Sequence, residues 1–214
     1  KEEAIIAYML SFGESLGLDT ERDEIGNVLI RKPATAGYES KSTLVLQAHL
    51  DMVHQKNADK DFDFATQGIQ MLVDGDWVRA DGTTLGADNG LGVAAIMGVL
   101  ASSDIAHPAL EALFTIDEET GMTGAKSLKP NWLTGQYLLN LDTEEDDEIT
   151  IGCAGGVDVT ATGALSVESN DEYKALVHIS INGLQGGHSG MDINKGLGNA
   201  NKLLMRVLDA VISE

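Results

Sequence analysis

Two adjacent glutamates, Glu118 and Glu119 in "TIDEETG", stand just past the apolar run "ALEALF". Like charges side by side where a buried strand should end are costly unless a cation or a reaction makes use of them. Other ionisable groups close similar runs. His49 and Asp51 end "LVLQAHLD", Asp142 ends "YLLNLD", and Asp88 stands in "GTTLGADNGLG" at the mouth of a helical stretch. One imidazole and five carboxylates from four segments form a ligand set that suits zinc, with manganese or cobalt as substitutes. Only one of two adjacent glutamates need bind metal, so Glu119 reads as the ligand and Glu118 as a general base over an attacking water. His49 and Asp51 are two residues apart. Strand side chains repeat with that period, so Asp51 can hold the imidazole from behind and fix its tautomer.

Each of these signs is weak alone, because a His-x-Asp pair is more often incidental than catalytic and adjacent glutamates most often sit on a solvated face. Four segments delivering ligand-type residues at strand ends reverse that balance. Other residues take simpler readings. The glycines around Asp88 lack the lysine of a nucleotide-binding G-x-x-x-x-G-K-[ST] loop. The acidic run "DTEEDDE" reads as a solvated loop without the spacing of a calcium loop. His54 and His107 read as surface residues, His178 as a strand position, and Cys153 as a small buried residue.

The elements that must position the chemistry alternate along the chain. "EEAIIAYMLSFGESLGL" carries Ile5, Met9, Phe12 and Leu16 at helical spacing. "NVLIRK" and "STLVLQAHL" read as strands, the second apolar enough for a parallel strand covered on both faces. "NGLGVAAIMGVLASS" reads as a buried helix, "ALEALFTI" and "YLLNLD" as further strands with a helical stretch between them, and "DEITIGCAGGVDVTATGAL" as strand. Strands alternating with helices predict an α/β domain with a largely parallel sheet, whose ligands bind beyond the carboxyl ends of the strands. From about Tyr173, "KALVHISING" alternates like a strand and "INKGLGNANKLLMRVLDAVI" reads as an amphipathic helix, too little to close a second domain.

The composition narrows the class. The 214 residues are 43% hydrophobic and carry a net charge of −20, which argues against nucleic acid or an anionic membrane as partner. One cysteine excludes an internal disulfide framework, no apolar run approaches the roughly 18 residues of a membrane span, and no signal peptide is read, so a cytoplasmic location is expected.

Six motifs, "QAHLDMV", "GTTLGADNGLG", "DEETGMTGA", "LLNLDTEE", "GCAGG" and "GGHSGMDINKGLGNANKLL", resemble the aminoacyl-histidine dipeptidases, the peptidase D group of co-catalytic zinc peptidases. The resemblance spans nearly the whole chain. It implies a zinc-peptidase-like catalytic domain over residues 1–165, with a largely parallel mixed sheet flanked by helices, and the start of an α+β lid or dimerisation domain over 166–214. It implies two zinc ions, one held by His49 and Asp142, the other by Glu119, with Asp88 bridging, Glu118 as base and Asp51 behind His49. It also implies a cis peptide between Asp88 and Asn89, and a lid histidine, His188, that reaches a substrate-bearing site and helps stabilise the oxyanion. Family members carry a further zinc-ligand histidine near the end of a much longer chain, to which none of the five histidines here corresponds; the sequence is therefore read as a fragment, clipped at Lys1 and stopping inside the lid. The implied activity is hydrolysis of Xaa-His dipeptides, including the β-alanyl-histidine type, by a homodimer joined through its lids. The same core also serves tripeptidases, aminoacylases and deacetylases, and a relative that binds metal without turnover is a further alternative.

Overall fold

In the computed structural model the described residues are 2–143, 147–153, 155–157, 159–166, 177–187 and 192–212. The chain divides into two compact units, Lys1–Asp147 and Glu148–Glu214.

The first unit is built on a five-stranded mixed sheet. Helix α1 (Glu3–Ser15) leads into the strands β1 (Asp19–Arg22), β2 (Val28–Lys32) and β3 (Leu44–His49). A separate antiparallel hairpin, β4 (Met71–Asp74) and β5 (Trp77–Ala80), precedes helix α2 (Ala87–Ala101). Strand β6 (Leu110–Thr115), the short helix α3 (Thr123–Lys126) and strand β7 (Tyr137–Asn140) complete the unit. The order across the sheet is β1-β2-β6-β3-β7. β3 runs parallel to both of its neighbours, β6 and β7, while β1 and β2 are antiparallel additions. The fold is thus α/β with a mixed sheet, and the three strands with candidate ligands at their ends are mutually parallel.

Period-two alternation sorts these strands' side chains onto two covered faces. Val28, Ile30, Leu46, Ala48, Leu110, Ala112 and Phe114 join one core with Ile6 and Met9 of α1 and Val93, Ile96 and Leu100 of α2. Leu29, Val45 and Leu113 face the other way, against Leu128, Trp132 and Leu133 from the connection between β6 and β7. Burial of both faces explains the largely apolar sequence of β6, all six of whose residues are buried. The one charge within it, Glu111, is fully used: its carboxylate accepts the N–H groups of Thr134 and Gly135 and the Thr134 hydroxyl at 2.8–3.0 Å. That anchor sets where β7 begins.

The second unit holds a 3₁₀ turn (Ile193–Lys195) and helix α4 (Ala200–Ile212). The single helix expected over "INKGLGNANKLLMRVLDAVI" is therefore broken. Gly196 takes a left-handed conformation at φ 68°, and the helix restarts where the Asn199 side chain accepts the Lys202 N–H at 3.0 Å. No strand is present among the described residues of 147–166 or 177–183, although both read as strand. Alternation alone supplies no ladder partner, and a strand needs one. His178 accordingly lies on irregular, exposed backbone, and Cys153 is exposed, not buried. His107 departs from expectation in the opposite sense, being only 4% exposed.

Candidate metal centre

Because β3, β6 and β7 run the same way, their carboxyl ends open onto one edge of the sheet. In register, His49 lies opposite Thr115 of β6, and Gln47 opposite Asn140 of β7. Immediately beyond those pairs come Asp51, Glu118 with Glu119, and Asp142. Asp88 arrives by another route. The long excursion after Asp51 is closed at its neck by Thr84, whose hydroxyl donates to the Val53 carbonyl at 2.6 Å and whose N–H donates to the Gln55 carbonyl at 2.8 Å. Chain that left the sheet at Asp51 thus returns beside it, where the peptide between Asp88 and Asn89 is cis, as the resemblance implies.

His49 sits at the centre and is 1% exposed. Its Nε2 lies 3.0 Å from Asp88 Oδ1 and 3.9 Å from both Glu118 Oε2 and Asp142 Oδ2. Two sets of ligand atoms fall within 4.8 Å of one another: His49, Asp88 and Asp142, and His49, Glu118 and Glu119. Five of the seven site residues named from the sequence therefore meet around one imidazole. Asp51 stands behind it, in a different manner from that expected. The nearest acceptor to His49 Nδ1 is the Asp51 main-chain carbonyl at 3.0 Å, with the carboxylate at 3.4 Å. That carboxylate instead accepts the N–H groups of Glu118 at 2.9 Å and Glu119 at 3.0 Å, so it fixes the turn bearing both glutamates. His188 lies outside the described residues.

The electrostatics follow from this crowding. Burial disfavours a charged His49, yet the carboxylates of Asp51, Asp142 and Asp88 outweigh it and push the imidazole up to about 9. Asp51, although buried, is held down to about 2 by His49 and by the two N–H donors. Asp142 rises to about 6, through burial and then the charge of Asp88. Glu118 and Glu119 are both raised, first by burial and then by neighbouring carboxylates. Nδ1 lies beside a main-chain carbonyl, and Nε2 faces a cluster of carboxylates. Only a proton or a metal cation between them makes that arrangement favourable. The donor set of nitrogen and carboxylate oxygen fits zinc, manganese or cobalt.

Sequence reasoning missed the residues that hold this turn. Asp117 takes a positive φ of 55° and accepts the hydroxyls of Thr120 and Thr123, and the Val53 N–H bonds to Glu119. A positive φ at a non-glycine residue leaves little trace in a sequence.

A mixed sheet gathering an imidazole and several carboxylates at the ends of its parallel strands matches the α/β catalytic domain of a metallopeptidase. The chain belongs to peptidase family M28, whose profile matches residues 27–183. It is 51% identical over 207 residues to the cytosol non-specific dipeptidase of Escherichia coli (strain K12), an alignment covering 97% of this chain and 43% of that protein. Among solved structures it resembles the aminoacylhistidine dipeptidase of Vibrio alginolyticus, with a TM-score of 0.71 and 49% identity over 97% of this chain and 42% of the other. The aminopeptidase PepT of Bacillus cereus ATCC 10987 aligns with a TM-score of 0.57 and 27% identity, over 67% of this chain and 39% of that one. The chain spans less than half the length of these relatives. No helix among the described residues is long and apolar enough to cross a membrane.

Proposed function

We propose that the protein, at its natural length, is a metal-dependent dipeptidase acting on Xaa-His substrates, including the β-alanyl-histidine type. The observation that carries this reading is the buried imidazole whose Nε2 faces the carboxylates of Asp88, Asp142 and Glu118, with Glu119 in the same cluster. His49 and Asp142 would hold one zinc ion, Glu119 the other, and Asp88 would bridge them. Bound zinc supplies Lewis acidity and lowers the pKa of water toward neutrality. Glu118, raised by burial, takes the proton from the attacking water and passes it to the leaving amine. Asp51 keeps Glu118 and Glu119 in place through their N–H groups. His188 is assigned to the oxyanion, and no covalent intermediate is required. We assign residues 1–165 to the catalytic part and the region from 166 to a lid through which two copies pair, in the cytoplasm.

A tripeptidase or acylase of the same architecture is the alternative, but the 51% and 49% identities to two dipeptidases, against 26% to a solved tripeptidase of Staphylococcus aureus, favour dipeptides. The test is amino-acid release from a panel of Xaa-His and unrelated dipeptides by the natural-length protein, after chelation and again after zinc is restored. Zinc-dependent release confined to Xaa-His substrates is expected. Release from many dipeptides leaves the dipeptidase and removes the specificity. Silence on all of them, with metal bound, overturns the proposal. Glu118→Ala should retain zinc while turnover falls by roughly 10²–10⁴-fold.

A further inference from the structure

Asn27 stands just before β2, is 0% exposed, and has both polar atoms of its side chain engaged. Its Oδ1 accepts the Ile116 N–H at 3.2 Å, while Nδ2 donates to the Gly124 carbonyl at 3.0 Å and to Asp23 Oδ2 at 2.8 Å. The other Asp23 oxygen accepts the N–H groups of Ile25, Gly26 and Asn27 at 2.8–3.1 Å, so Asn27 is itself held in place. Ile116 and Gly124 are the two ends of the turn that carries Glu118 and Glu119, and they are joined by the Gly124 N–H donating to the Ile116 carbonyl at 3.1 Å. One amide side chain from another part of the sheet therefore clasps both ends of that turn. The fit leaves no slack: a Cβ added at Gly124 would stand 2.3 Å from Asn27 Oδ1 and 2.7 Å from the Ile116 backbone. Asp51 binds the same turn through the N–H groups of Glu118 and Glu119.

We infer that Asn27 is a positioning residue of the metal centre, setting the Ile116–Gly124 turn so that Glu118 and Glu119 are presented toward His49. It touches neither metal nor substrate and acts through the turn. The inference rests on the reading of the centre given above. An asparagine satisfied on both sides suits the task because it supplies an acceptor to one end of the turn and a donor to the other. Supporting groups of this kind typically alter metal affinity or activity by about 10–100-fold when removed.

The test compares wild type, Asn27→Ala and Gly124→Ala in the natural-length protein. Cobalt affinity is read by competition with a chelator, the visible spectrum of the cobalt form is recorded, and kcat and KM are measured on an Xaa-His dipeptide alongside the melting temperature of the metal-free form. Asn27→Ala is expected to weaken cobalt binding by about 10–100-fold, alter the cobalt spectrum, and lower kcat by a similar factor with KM within about twofold. A purely structural role would lower the melting temperature alone. Folded Asn27→Ala with wild-type cobalt affinity, spectrum and kcat overturns the inference. If Asn27→Ala does not fold, Gly124→Ala decides, since its methyl group presses on the same clasp: the same losses support the inference and wild-type values overturn it. A wild-type protein that binds no cobalt and cleaves no dipeptide overturns the metal-centre reading and this inference together, whereas unaffected variants of an active wild type overturn this inference alone.

Discussion

Asp51 serves three partners at once, and its substitutions should separate them. Asparagine at this position keeps the shape but replaces one acceptor oxygen with a donor that opposes the N–H of Glu118 or Glu119. Asp51→Asn is expected to weaken metal binding by about 10–100-fold, measured by chelator competition, while His49 keeps its tautomer because the acceptor on Nδ1 is the main-chain carbonyl. That Asp51 stands beside the His49 ring was legible in their two-residue spacing, although β3 ends at His49 and Asp51 lies just beyond it. Which oxygen of Asp51 meets the ring was not, because main-chain groups are the same at every position. Cys153 and His107 were misread for a related reason: residue type predicts burial only on average, and His107 is buried with its Nδ1 bonded to the Pro108 carbonyl at 2.7 Å.

Helix α2 must bring Asp88 to the exit of β7, and Gly92 permits the approach. A Cβ there would stand 2.1 Å from the Asn89 side chain and 2.8 Å from the Leu141 carbonyl. Gly92→Ala should therefore cost about 1–3 kcal/mol of stability by denaturant unfolding and weaken metal binding, because Asp88 and Asp142 flank the contact. Strands β2, β3, β6 and β7 were readable from their apolar runs, and α1 and α2 from helical spacing and small residues. β1 was not, since "DTER" shows no apolar alternation; it pairs with β2 and is held by ion pairs from Arg31 to Asp19 and Glu21. The β4–β5 hairpin is exposed throughout both strands except at Ala80, and so lacked the half-buried pattern that marks a strand.

Across the whole molecule, protons and metal compete for the same imidazole. The folded chain raises His49 from 6.5 to about 9, so without metal this group's stabilisation is complete below pH 6.5 and is lost as pH rises through 9. Asp51 acts in the other window, its contribution being present above pH 3.8 and lost as pH falls toward 2. Asp142, raised to about 6, favours the fold when protonated, below pH 3.8, and that contribution is gone above 6, where its charge adds to the carboxylate cluster. The metal-free melting temperature should accordingly decline between pH 6.5 and 9, while the increment conferred by zinc grows over the same range. Calorimetric titration at pH 7 in buffers of different ionisation enthalpy should show release of about one proton per His49-bound metal, with affinity rising about tenfold per pH unit up to about 9.

The place of β3 in the sheet, laddered to β6 on one side and β7 on the other, makes the candidate centre a gauge of the sheet. Three of its four ligand-bearing segments are rungs of one hydrogen-bonded lattice, so any tilt between those strands changes the spacing of the donors before it disturbs the fold. Substitutions in the core beneath, at Phe114 or Ala48, would then be heard first as a change in metal avidity, and a chelator titration would audit packing that no ligand touches.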